Sequence, residues 1–176
     1  MRVVETPIAG VLILEPEAIR DARGFFARTW DRDVLRARGL DADVAQASIA
    51  WNEVRGTLRG LHYQEAPHSE AKTVSCAAGV VWDVAVDLRP GAETIHRWVG
   101  VELSASNRRS LYIPHGCAHG YLTLSDGAEV HYRISVSHHP ESARGVRWND
   151  PTLAIEWPGQ IIRISDGDAA LPLLGP

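Results

Sequence analysis

Titratable and donor side chains recur on the β-rich segments of this chain. Arg59 and His62 stand three apart in LRGLHYQ, Lys72 opens KTVSCAAG, and Asp83 lies inside VVWDVAVDLRP. His119 follows PHGCA, and Tyr132 sits in VHYRIS. Any one of these is more often a satisfied structural residue than a reactive one. Together they make a set for proton transfer beside a carbonyl. An imidazole base removes the α-proton, and a cation with hydrogen-bond donors holds the developing enolate oxygen. A phenol then returns a proton from the opposite face, which inverts the carbon. With an ordinary pKa of about 10, such a phenol enters the reaction protonated. A carboxylate behind the imidazole would fix its tautomer and raise its basicity. Lys72 stands out further, because it is the single lysine among 18 Lys and Arg residues. A composition bias toward arginine accounts for part of this. The rest points to a site that takes a compact ammonium and has no room for a planar guanidinium fork.

Two other chemistries compete for the same residues. PHGCAH has the Pro-x-Gly-x-x-His pattern of cupin barrels, which often bind iron, manganese or zinc. A metal cupin also carries a His-x-His pair and a nearby Glu, whereas GLHYQ offers His62 alone. Two histidines from separate strands leave a metal short of ligands. A hydrolase would need an activated nucleophile, yet no GxSxG elbow occurs. Cys117, two residues before His119, reads as a small apolar filler.

To converge, these residues need strands arranged around a common interior. GTLRGLHYQ, KTVSCAAG, VVWDVAVDLRP, HRWVGVELSA, RSLYIP, AHGYLTLSD and AEVHYRIS all have strand character and are punctuated by Gly, Pro, Asn or Asp. VLILEP predicts an earlier, first strand. In WDVAVDL, Trp82, Val84, Val86 and Leu88 share one face and Asp83, Ala85 and Asp87 the other. Close spacing without intervening helices predicts an all-β barrel or sandwich, in which strands can aim such residues into one lumen. DRDVLRARGL predicts a short helix over 31–40, with Asp31 as N-cap, Val34 and Leu35 as the apolar face and Gly39 as the stop. After Pro140 the pattern predicts an irregular C-terminal wrap.

With 176 residues, 45% of them hydrophobic, the chain suits one domain spanning 1–176. A net charge of −4 with no basic stripe argues against nucleic-acid binding. The N-terminus lacks a signal-peptide layout, and no stretch is long enough to span a bilayer. Two cysteines are too few for a disulfide scaffold, so the expected compartment is the cytoplasm.

The chain resembles the dTDP-4-dehydrorhamnose 3,5-epimerases, cupin-type jelly-roll barrels that act on 4-keto-6-deoxy sugar nucleotides. The resemblance is carried by DARGFFARTW, GTLRGLHYQ, Lys72, WDVAVDLRP, ELSASNRRSLYIPHGCAHGY, VHYRIS, HPESARGVRWNDP and ISDGD. It implies His62 as base, Tyr132 as acid, Asp168 as the carboxylate partnering His62, and Lys72 as the cation near sugar and phosphates. It implies substrate contacts from Arg23, Phe26, Gln46, Arg59, Lys72, His119 and His138, with Arg23 reaching the nucleotide across a dimer interface. It also implies a homodimer with strand exchange, a dTDP-linked substrate, and no metal or cofactor. Departures from the family pattern are Ser48 for Asn, His138 for an aromatic that lines the sugar pocket, Arg28 for Glu, Ala143 for an acidic residue and Gly167 for a basic one. All five touch recognition and spare the catalytic set. They leave open the nucleotide, the sugar, and inversion at C3, C5 or both. Two other outcomes stay in play: a related ketoisomerase, which would yield a 3-keto product, and a non-catalytic nucleotide-sugar-binding barrel.

Overall fold

In the computed structural model, residues 1–175 are described. The strands are β1 (Arg2–Glu5), β2 (Leu12–Glu15), β3 (Ile19–Asp21), β4 (Gly24–Phe26), β5 (Gln46–Asn52), β6 (Leu58–Gln64) and β7 (Lys72–Ala78). They continue as β8 (Val80–Asp87), β9 (Trp98–Ser104), β10 (Ser110–Ile113), β11 (Cys117–Thr123), β12 (Ala128–Ile134) and β13 (Ala143–Gly145). Two short helices, α1 (Arg32–Arg36) and α2 (Asp166–Ala169), complete the secondary structure. One sheet runs β1-β2-β10-β7-β12-β5 and the other β13-β6-β11-β8-β9, while β3 and β4 form a separate hairpin. All strand pairs within these sheets are antiparallel. This is the all-β jelly-roll barrel expected from the sequence.

The main core lies between the two sheets. It joins Val74, Cys76, Leu111, Ile113 and Val130 of one sheet to Val81, Ala85, Leu103, Cys117 and Tyr121 of the other. The alternation in WDVAVDL resolves in an informative way. Ala85 faces this interior, as does the fully buried Asp83. Trp82, Val84, Val86 and Leu88 lie on the outer face, where Val146, Leu153, Ile155, Trp157 and Leu174 of the C-terminal wrap cover them. The chain can afford a polar interior strand face because its apolar face is buried elsewhere.

A third cluster covers the other sheet, with Leu35 of α1 packed against Leu12, Leu14 and Tyr112. Asp31 caps α1 as expected, its Oδ1 accepting from the Asp33 and Val34 N–H groups. The helix is shorter than predicted and ends at Arg36. Leu40 turns back onto the Leu35 cluster through Gly39 at φ +73°. Val34 is exposed, so Leu35 alone makes the helix's buried contact.

Several elements, among them β1, β5, β13 and α2, were not expected. VLILEP forms the second strand, since β1 precedes it and pairs with it. The C-terminal wrap contains α2, capped by Ser165. β5 has an inverted pattern: Gln46, Ser48 and Asn52 point inward, whereas Ile49 and Trp51 are 63% and 57% exposed on the outer face. A search for apolar-in, polar-out alternation passes over such a strand.

Candidate active site

Strand register builds the site in two halves. On the five-stranded sheet, His119 of β11 lies directly across from His62 of β6. On the six-stranded sheet, Tyr132 of β12 is flanked by Ser48 of β5 and Val74 of β7. One row along, Ile134 is flanked by Gln46 and Lys72. The halves meet around a cavity of about 200 Å3 lined by Ser48, Arg59, His62, Lys72, His119, Tyr121, Tyr132 and Ile134. A second cavity of about 340 Å3 adjoins it, sharing His62, Lys72 and Ile134 and adding Gln46, Gln64, Glu70, His138 and Arg144 among others.

Gly60 makes the His62–His119 pairing possible. A Cβ there would lie 2.6 Å from Gly120 Cα and 2.8 Å from the His119 carbonyl oxygen, and its φ is +117°. Only glycine lets β6 approach β11 this closely.

His62 is backed by Asp168, with Nε2 and Oδ1 2.7 Å apart. The other oxygen, Oδ2, accepts the Gly60 N–H at 3.1 Å. Ser165 Oγ accepts the Asp168 N–H, which anchors the first turn of α2 against β6. Burial pushes the Asp168 carboxyl up. The bonds from His62 and Gly60 and the charge of Arg59 outweigh that and hold it below the usual carboxylate value. It therefore stays ionised behind the ring at neutral pH.

Tyr132 is raised well above the ordinary phenol value, first by burial and then by Tyr121 and the charge of Asp83. It is a protonated donor throughout the physiological range. Tyr121 donates to Asn52 Oδ1 at 3.1 Å, and the same oxygen accepts Arg59 Nε at 2.9 Å. Asn52 thus fixes the guanidinium at the cavity wall. His119 repeats the arrangement of His62, with its Nε2 2.7 Å from Asp83 Oδ1. Burial raises the Asp83 carboxyl, against the pull of His119 and Lys72. Lys72 Nζ pairs with Glu70 Oε1 at 2.7 Å and approaches the His62 carbonyl at 3.4 Å.

Of the residues expected from sequence, His62, Lys72, Tyr132, Arg59 and His119 line one cavity, and Asp168 stands behind His62. Gln46 and His138 line the adjoining cavity, where the His138 N–H donates to Gln46 Oε1 at 2.9 Å. Arg23 and Phe26 line neither cavity. They lie exposed on the β3–β4 hairpin, with Arg23 paired to Asp21. Arg28 pairs with Asp31 beside α1, whereas Ala143 lines the second cavity and Gly167 directly precedes Asp168. Asn52, Tyr121 and Glu70 were missed. Only Glu70, two residues before the lone lysine, left a trace in the sequence.

His62 and His119 each turn Nε2 to a carboxylate. Among the described residues, the one grouping of three metal-ligand side chains is His68, His139 and Glu141, outside the first cavity. There the two imidazoles stack 3.5 Å apart and 6° from parallel. His139 Nδ1 lies 2.9 Å and His68 Nδ1 3.9 Å from Glu141 Oε1.

The arrangement therefore offers an ionised carboxylate behind an imidazole, a neutral phenol across the cavity, and an ammonium and a guanidinium between them. The family model described as dTDP-4-dehydrorhamnose 3,5-epimerase matches residues 5–175. A dTDP-4-dehydrorhamnose 3,5-epimerase from Shigella flexneri is 43% identical over 169 residues, covering 96% of this chain and 93% of that protein. The crystal structure of a dTDP-4-dehydrorhamnose 3,5-epimerase from Elizabethkingia anophelis superposes with a TM-score of 0.95 at 38% identity, covering 98% and 96% of the two chains. A dTDP-6-deoxy-D-glucose-3,5-epimerase from Legionella pneumophila, solved with dTDP-4-keto-L-rhamnose, superposes with a TM-score of 0.91 at 40% identity, covering 98% and 92%.

Proposed function

Because the chain belongs to the dTDP-4-dehydrorhamnose 3,5-epimerase family, we propose that it epimerises a dTDP-linked 4-keto-6-deoxy sugar at C3, C5 or both, with His62 as its base. The observation that carries this reading is the 2.7 Å pairing of His62 with Asp168 in a cavity that also holds Tyr132 and Lys72. With Nε2–H donated to Asp168, Nδ1 is the nitrogen that takes the proton α to the ketone. The imidazolium formed is stabilised by the carboxylate behind it. Lys72, Arg59 and His119 supply donors for the enolate oxygen. Tyr132, protonated and buried, delivers a proton from the opposite side, and the carbon leaves inverted. Gln46 and His138 contact the substrate from the second cavity. No step calls for a metal or a redox cofactor, since proton removal and return balance within the side chains present.

The active form is proposed to be a homodimer of one-domain chains spanning 1–176. Support comes from the outward apolar face of β5 and from the β3–β4 hairpin, which pairs with neither main sheet and leaves Ile19 and Phe26 exposed. In such a dimer Arg23 and Phe26 would serve the partner's nucleotide site. Both cysteines are free and buried, which suits the reducing cytoplasm. No helix among the described residues is long and apolar enough to cross a membrane.

The decisive experiment incubates the protein in deuterated buffer with dTDP-4-keto-6-deoxyglucose and follows the sugar by NMR. Deuterium at C3, C5 or both with inverted product is expected. Absence of exchange with any 4-keto sugar nucleotide overturns the reading, and a 3-keto product would make the protein a ketoisomerase.

A further inference from the structure

Glu70 is a carboxylate in the second cavity that the proton-transfer scheme leaves unused. Its carboxylate meets Lys72 Nζ at 2.7 Å, and the two side chains are 8% and 11% exposed. Both line the second cavity, while Lys72 also reaches the first. A carboxylate so nearly buried is costly unless it is paired. The backbone between the two is clamped: Ala71 N–H donates to Ser135 Oγ at 2.9 Å, and Ser135 N–H donates to the Ala71 carbonyl at 3.0 Å. In an extended segment, side chains two residues apart share a face. The clamp on Ala71 therefore ties the backbone between the two partners to Ser135, directly after β12, the strand that carries Tyr132. A lysine otherwise swings on four flexible methylenes.

We propose that Glu70 is a positioning residue for Lys72, holding its ammonium at the partition between the cavities so that it meets the enolate oxygen as charge develops. The proposal rests on the epimerase reading for its catalytic consequence, but the positioning itself does not. Misplacing a charged donor by a fraction of its reach lowers turnover without weakening ground-state binding. Glu70 also places a negative charge beside an anionic substrate, so its removal leaves binding equal or tighter. A kcat that falls while KM holds or falls is not the signature of general damage.

Lys72 is the chain's single lysine, so growth on 13C-lysine labels one side chain. In the parent protein, its Cε resonance is expected to relax as an immobilised group. In Glu70→Gln and Glu70→Ala the resonance should shift and its mobility rise, more in the alanine variant. On a 4-keto sugar nucleotide, Glu70→Gln should lose about tenfold in kcat with KM unchanged or lower. In a Lys72→Met background the same change should cost nothing further. Parent-like position and relaxation of the Lys72 signal in both variants overturns the proposal. So does a parent-like kcat in Glu70→Gln, or a lowered Tm with Lys72 undisturbed. If Lys72 loosens but the parent protein turns over no 4-keto sugar nucleotide, the positioning stands and the epimerase reading falls.

Discussion

Asp168 reaches His62 through Nε2 at 2.7 Å, so replacing it acts on the tautomer and basicity of the ring before it acts on binding. Asp168→Asn should lower kcat by about 10²–10⁴-fold, the range for a disabled general base, with KM little changed. Steady-state kinetics on a 4-keto sugar nucleotide checks this. Tyr132 stands on the opposite sheet and, in the proposed scheme, acts after the base. Tyr132→Phe should keep solvent deuterium exchange into the sugar but lose inverted product, which NMR of the recovered sugar would reveal. Loss of both would mean that the phenol also helps form the enolate. His119 and Asp83 form a second imidazole–carboxylate pair, but Asp83 is fully buried with Oδ2 unpartnered. Burial raises its carboxyl, whereas that of Asp168 is held low.

Among elements, the contact between β6 and β11 decides whether His62 and His119 meet. Gly60→Ala would drive a methyl into Gly120 Cα. It should destabilise the fold by about 1–3 kcal/mol, as overpacking does, and reduce activity beyond that loss. Urea unfolding beside kinetics separates the two effects. The turn after β8 is held differently. The Asp87 carboxylate is fully buried and accepts from Arg89 Nε, Arg89 Nη2 and Thr94 Oγ1. Burial would raise it, but these bonds win and bring it down to about 2, from an ordinary 3.8. A lowered carboxylate stabilises fully above its unfolded value and loses that stabilisation as pH falls through the folded one. Asp87→Asn should therefore cost about 2 kcal/mol near pH 6, and the gap from the parent should close between about pH 4 and pH 2. Urea melts across that range test the sign.

At the scale of the whole molecule, the proposed homodimer would cover the apolar outer face of β5 and the detached hairpin. Ile49→Asp should convert a dimer into a monomer in light scattering behind size exclusion, and should raise KM if Arg23 serves the partner's site. A parent that runs as a monomer would remove that role from Arg23 and Phe26. The sequence by itself determined the all-β class, the strands from β6 to β12, and the identities of His62, Lys72, Tyr132 and their neighbours. Strand alternation is local, and a motif such as LRGLHYQ keeps its residue types wherever it lies in space. It did not determine which face of VVWDVAVDLRP is interior, because both faces are buried, one by the barrel and one by the C-terminal wrap. It passed over β5, whose polar residues point in and whose apolar residues point out. The packing that carries Asp168 to His62 across 106 residues, the Gly60 contact that sets the two histidines opposite each other, and the Ser135 clamp behind Glu70 and Lys72 exist only in the tertiary structure. Each depends on distances between strands far apart in the chain, and no spacing along a sequence encodes those distances.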